Sequence, residues 1–165
     1  MKKFALIVAG GSGKRMNLNE PKQFLQLNGK PLLFRTMEAF TDFDTKIHFV
    51  VVLPELQIER WNVLCSKFQL NVKHILVAGG ATRFHSVKKG LDAINEEGIV
   101  FIHDGVRPLV SVRTIKNCYQ TALEKGNALP VVKPSESIRK IDNGKSRAVD
   151  RSKYVLVQTP QTFKV

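Results

Sequence analysis

Short apolar runs and amphipathic stretches alternate along the chain. Runs rich in Val and Ile recur at Phe4–Val8, Ile47–Leu53, His74–Val77, Ile99–His103, Ala128–Val132 and Tyr154–Val157. Each is too short for a helix and nearly all apolar, the pattern of a strand buried on both faces. Between them the spacing turns helical. Leu33, Met37 and Phe40 fall on one stripe, as do Val87, Leu91 and Ile94, and again Val112, Ile115, Tyr119 and Ala122. Pro31, Pro54 and Pro108 mark element boundaries, and Thr82 and Ser111 are the expected N-caps. This alternation predicts a mainly parallel sheet between helical layers, a three-layer α/β sandwich. The chain carries no internal repeat.

One late segment breaks the rhythm. In "SIRKIDNGKSRAVDR" apolar residues alternate around Asn143-Gly144, the strongest short hairpin signal. The ribbon is polar and basic, so it cannot be buried on both faces and is expected to project from the sheet. It reads either as a solvated surface hairpin or as an arm that clasps a second subunit.

Composition narrows the picture. A chain of 165 residues has the size of one domain and buries a core without disulfide or metal staples. Cys65 and Cys118 match no metal or redox spacing and read as small buried apolar residues. The opening "MKKFALIVAGG" has lysines before apolar residues, but the run is too short for a signal peptide, and no stretch approaches a membrane span. A cytoplasmic protein is expected. The net charge of +12 suggests polyanionic partners. The 26 basic residues are scattered, without a Lys/Arg block or an aromatic RNA-binding signature, which argues against a nucleic-acid binder.

In an open parallel sheet the ligand lies beyond the carboxyl ends of the strands. Residues 9–15 follow the first predicted strand; Gly79, Gly80 and Arg83 follow the third; Asp104, Gly105 and Arg107 the fourth; Thr159 and Gln161 the sixth. All four turns are therefore expected on one rim. The first turn is neither of the two common glycine-rich loops. Gly13-Lys14 is followed by Arg15 rather than a hydroxyl residue, and Met16 stands where a dinucleotide fingerprint needs its third glycine. What remains is a turn whose glycines let backbone N–H groups converge on an anion, flanked by Lys14, Arg15 and Lys22. A highly charged phosphate ligand suits it; an ordinary strand-to-helix turn is the alternative. Asp104 reads as a metal-binding carboxylate or as an ion-pair partner of Arg107. His103 reads as a hydrogen-bonded core histidine rather than a base. A rim rich in cations and poor in bases suits phosphoryl-type transfer, governed by positioning and charge stabilisation.

Six fragments in register, "AGGSGKRM" with "PKQF", "GGATRFHSV", "HDGVRP", "VDR" and "TPQTF", closely resemble the 2-C-methyl-D-erythritol 4-phosphate cytidylyltransferases of non-mevalonate isoprenoid biosynthesis. The resemblance spans nearly the whole chain. It implies a single nucleotidyltransferase domain over residues 1–165, Rossmann-like, with the hairpin arm at residues 135–151. It also implies transfer of a cytidylyl group from CTP to methylerythritol phosphate with release of pyrophosphate. By similarity, Arg15 and Lys22 would grip the triphosphate and stabilise charge at the α-phosphorus, with Lys14 and Gly13 in support. Ala9, Gly10, Gly11 and Gly80 would shape the cytosine pocket, Ser86 would meet the sugar, and Asp104 would hold Mg2+. Arg107 would order the same turn on the substrate side. Ser137 and Arg151 of the arm would bind the acceptor in a neighbouring subunit's site, making a homodimer, and Thr159 would complete the acceptor pocket.

The sequence departs from the family pattern in places. Ala81 stands where some members carry an acidic residue, and Ser137 replaces a threonine while keeping the hydroxyl. Family members usually continue past "TPQTF" through a region that supplies another lysine, so this chain is expected to lack the C-terminal portion. Two alternatives stand beside the main reading. One is a sister cytidylyltransferase acting on ribitol 5-phosphate; the other is a catalytically silent nucleotide-binding or assembly module.

Overall fold

In the computed structural model, residues 1–10 and 20–165 are described. Twelve strands and four α-helices are described, in the order β1 (Lys2–Val8), β2 (Gln26–Leu27), β3 (Lys30–Pro31), α1 (Leu32–Phe43), β4 (His48–Leu53), α2 (Ile58–Lys67), β5 (His74–Ala78), α3 (Arg83–Asp92), β6 (Gly98–Asp104), α4 (Val112–Lys125), β7 (Asn127–Ala128), β8 (Val131–Val132), β9 (Ile138–Asp142), β10 (Lys145–Val149), β11 (Leu156–Val157) and β12 (Gln161–Lys164). The main sheet runs β5-β4-β1-β6-β12-β7. Its first four strands are mutually parallel, and β12 is antiparallel to both β6 and β7.

Strand parity divides the interior into two cores. Ala5 and Ile7 of β1, with Phe49 and Val51 of β4 and Phe101 of β6, face α1, α2 and α4. Phe4, Leu6 and Val8, with Val50, Val52, Val100 and Ile102, face the side covered by α3. The central strands are thus buried on both faces, which is why their sequences are continuously apolar. Leu33, Met37 and Phe40 of α1 are buried, as are Ile115 and Ala122 of α4, while Val112 at the first turn of α4 is exposed. Thr82 and Ser111 cap α3 and α4 as expected, accepting from the N–H of His85 and Thr114. At Gly90 α3 presses directly on the sheet: a Cβ there would lie 2.3 Å from Leu6 Cδ1.

The late part of the chain corrects two expectations. Ala128–Val132 is not one strand: Ala128 belongs to β7 of the main sheet, whereas Val131–Val132 forms β8 of a separate ribbon. Tyr154–Val157 is not a sixth buried strand either. Its Leu156–Val157 pairs antiparallel with β8, and its apolar side chains are about half exposed. The place beside β6 in the main sheet is taken by β12, whose sequence QTFK alternates rather than running apolar. The predicted hairpin is present: β9 and β10 pair from Ile138↔Val149 to Asp142↔Lys145. Asn143 and Gly144 supply its turn at φ 46° and 75°, the left-handed pair a two-residue hairpin requires.

Candidate active site at the carboxyl rim

The rim is aligned by hydrogen bonds that continue the strand ladder one residue past each strand. Ala9 N–H donates to the Val52 carbonyl (2.9 Å), Gly79 N–H to Leu53 (2.8 Å) and Gly105 N–H to Val8 (2.9 Å). Ala9 is buried and Gly10 exposed, so the chain surfaces at the first glycine. Gly11, Gly13, Lys14 and Arg15 lie outside the described residues.

The Gly79-Gly80 turn is tied down from α3. Ser86, one helical turn inside the Thr82 cap, is buried and accepts the Gly80 N–H at 3.0 Å; Lys89, on the same face, donates to the Gly79 carbonyl at 3.2 Å. A Cβ at Gly80 would fall 2.4 Å from His85 Cβ, so the close approach of turn and helix needs glycine. Ser86 therefore ties the turn to α3.

At the end of β6, Asp104 sits between two guanidinium groups. Arg83 Nη2 donates to Oδ1 at 3.1 Å and Arg107 Nε to Oδ2 at 2.9 Å. The carboxylate is about a quarter exposed and the arginines about half, so one negative charge is shared by two accessible positive ones. The cluster retains a net positive charge and spare N–H donors, a setting for phosphate oxygens. Arg107 also donates to Gln158 Oε1 at 3.0 Å, which joins the β6 turn to the segment entering β12.

Beneath this turn lies His103, fully buried. Burial pushes its pKa down to about 4, and Nε2–H donates to the Arg107 carbonyl at 3.0 Å while Nδ1 has no partner among the described residues. It is a neutral support for the turn and not a base near neutral pH, as the sequence suggested. Thr36, buried in α1, sets its hydroxyl 3.0 Å from the Gly105 carbonyl.

Lys22 is half-buried on a 3-10 turn, Lys22–Phe24, anchored by the buried Gln23 and Phe24. Thr159 lies at the rim, its hydroxyl shielded and without a partner among the described residues. It arrives there by a different route from the one expected. The strand before it is the exposed ribbon, and the rim position follows because β12 enters antiparallel, with Gln161 opposite Ile102 near the end of β6. Ser137 and Arg151 sit apart from this cluster, exposed at the foot of the hairpin, where Arg151 donates to the Ser135 carbonyl. Asp150 of "VDR" is structural: its Oδ1 accepts from the N–H (3.0 Å) and hydroxyl (2.7 Å) of Ser152. Sequence reasoning missed Gln158, Lys89 and Thr36. Lys89 could have been found, since it follows Ser86 by three residues on the helix face that the Thr82 cap turns toward the glycines.

Comparison with known proteins identifies the family and the fold. The 2-C-methyl-D-erythritol 4-phosphate cytidylyltransferase family profile matches residues 4–165. The cytidylyltransferase of that name from Bacteroides fragilis is 48% identical over 159 residues, covering 96% of this chain and 73% of the relative. That from Porphyromonas gingivalis is 48% identical over 163 residues, covering 99% and 72%. Among solved structures, 4-diphosphocytidyl-2C-methyl-D-erythritol synthase from Anaerococcus prevotii superposes with a TM-score of 0.82 at 23% identity, over 99% of this chain and 71% of that one, a likeness of fold. The 2-C-methyl-D-erythritol 4-phosphate cytidylyltransferase of Thermus thermophilus gives 0.72 at 30% identity, over 99% and 70%. With its glycine turns, its paired arginines and a match from Phe4 to Val165, the chain belongs to the 2-C-methyl-D-erythritol 4-phosphate cytidylyltransferase family.

Proposed function

We infer that this protein transfers the cytidylyl group of CTP to 2-C-methyl-D-erythritol 4-phosphate. A phosphate oxygen of the acceptor forms a bond to the α-phosphorus, the bond from that phosphorus to the β-phosphate bridging oxygen breaks, and pyrophosphate leaves. The carrying observation is the family match over residues 4–165, which takes in every turn of the rim. The chemistry suits the groups present. A phosphate monoester is largely ionised near neutral pH, so the acceptor needs no base, and the rim supplies cations where charge develops.

On this reading Arg15 and Lys22 engage the triphosphate, the Gly10 and Gly80 backbones border the cytosine, and Arg107 and Thr159 face the acceptor. Each Asp104 oxygen pairs with one guanidinium and keeps lone pairs, so the carboxylate fits a Mg2+ ion that takes its other ligands from phosphates and water. Asp104 would hold that ion, which when bound neutralises charge on the triphosphate. The arm reading also extends here. Leu129, Val131, Val132 and Val155 to Val157 form an apolar strip beside the hairpin foot, about half exposed, which a second subunit would cover. Ser137 and Arg151 would then serve the neighbour's site.

Pyrophosphate release from CTP, measured with methylerythritol phosphate and with ribitol 5-phosphate, tests the assignment. Release with the first acceptor is expected. Release with ribitol 5-phosphate alone, or with neither, overturns it. Mixing Arg15→Ala with Arg151→Ala subunits, each impaired alone, is expected to recover activity; no recovery in mixed dimers rejects the exchanged arm.

A further inference from the structure

The segment that carries Lys22 is held by α2, and the hold involves side chains with no other evident task. Arg60 of α2 pairs with Glu20 and also lies over the Phe24 ring, 5.4 Å from its centroid. Both contacts of this accessible guanidinium fall on the few residues that bracket Lys22. The next residue of α2, Trp61, stacks on the other end of the same unit, with its ring 6.4 Å from Phe24 and tilted by 19°.

Trp61 is itself locked from behind. It is fully buried, meets Phe34 of α1 edge-on at 4.9 Å, and donates Nε1–H to His74 Nε2 at 2.9 Å. His74 Nδ1 lies 2.8 Å from the Val72 carbonyl. A carbonyl only accepts, so Nδ1 carries the hydrogen and Nε2 is the free acceptor that the indole needs. A chain of fixed contacts therefore runs from β5 through α2 to the 3-10 turn, and rotation of the indole is prevented at both ends.

We propose that Arg60 and Trp61 are positioning residues for Lys22, setting where its ammonium meets the triphosphate. This rests on the reading that Lys22 engages CTP. The physical reason for such a brace is that a lysine ammonium is a point charge on a flexible stem, so its placement is only as exact as the backbone beneath it. Arg60 restrains that backbone by charge on one side and Trp61 by packing on the other.

The test is a double-mutant cycle on the full chain, using Arg60→Ala, Lys22→Ala and the pair, read by CTP affinity in isothermal titration and by pyrophosphate release. Arg60 is surface-exposed, so its removal leaves the fold intact; circular dichroism melting checks this. Because Trp61 is the only tryptophan, its fluorescence reports the brace directly. Arg60→Ala is expected to weaken CTP binding about fivefold and lower turnover about tenfold in the parent, as displaced catalytic groups do. In the Lys22→Ala background it is expected to change neither, because its effect passes through the lysine. Equal effects of Arg60→Ala in both backgrounds, or none in the parent, overturn the proposal. A Lys22→Ala protein that binds CTP and turns over like the parent instead removes the reading on which it stands, and the proposal with it. Trp61→Phe keeps a ring against Phe24 but loses the indole N–H; it is expected to reproduce a smaller loss in turnover with the same dependence on Lys22. A loss that persists without Lys22 counts against the indole's part.

Discussion

Two valine-rich triplets meet opposite fates in this molecule. Val50, Val51 and Val52 of β4 are at most 1% exposed, whereas Val155, Leu156 and Val157 are 52%, 48% and 47% exposed. The difference lies in what surrounds them. β4 has strands on both edges and helical layers on both faces; β11 has one short antiparallel partner outside the main sheet. Apolar sequence states a need for burial without saying which surface meets it. The sheet satisfies that need within the chain, whereas among the described residues the limb formed by β8 to β11 does not.

The comparison can be broken most sharply at Phe101, fully buried against Phe40, Phe43 and Tyr119. Phe101→Ala is expected to cost about 3–5 kcal/mol in denaturant unfolding; a loss under about 1 kcal/mol would show that the sheet core is not the source of stability. Next comes His103, on the same strand. Its imidazole has a pKa of about 4 in the fold against an ordinary 6.5, so the unfolded chain takes up the proton first as pH falls. The contribution of this imidazole to stability is expected to be full above pH 6.5 and to fall by roughly 3 kcal/mol toward pH 4. His103→Gln, which does not titrate, should flatten that slope in urea melts across this range.

On the limb the expected effects are smaller and local. Gly144→Val forces a β-branched residue into φ 75°, costing about 1–2 kcal/mol within the hairpin. Hydrogen exchange should quicken in β9 and β10 while the global melting temperature stays put; a fall in the global value would mean that hairpin and sheet unfold as one. Least of all, Leu156→Ala should cost about 1 kcal/mol or less in dilute protein, since half the side chain is already in water. If its cost grows with protein concentration, the strip is covered by association.

Of the parallel strands, β1, β4 and β6 were legible because two-sided burial writes itself as an unbroken apolar run; the edge strand β5 shares that apolar pattern although Ile75 is exposed. β12 was not, because Thr162 is buried while its neighbours are only partly so, and alternation over four residues is too short to register. Tyr154–Val157 misled for the reason given above. The places of Gly79, Gly80, Asp104 and Arg107 on the rim were readable from their positions at or just after strand ends. Arg83 was placed on the rim, but its bond to Asp104 crosses the end of β1 and spans 21 positions, a contact no local pattern encodes. Gln158 was hidden in the same way, 51 residues from the arginine it meets. The Trp61–His74 pair was not legible, because its hydrogen bond joins a helix to the strand that follows it.

Gly90 has a mechanical meaning beyond packing. With only hydrogen between α3 and Leu6, the helix rests on the strands as a beam rests on its bearing, and Arg83 is the beam's tip. A shim as thin as one methyl group at that bearing would tilt the beam, lifting the tip from Asp104 and slackening the Ser86 and Lys89 ties to the glycine turn. The height of this part of the rim is thus gauged by a residue two helical turns away from Arg83.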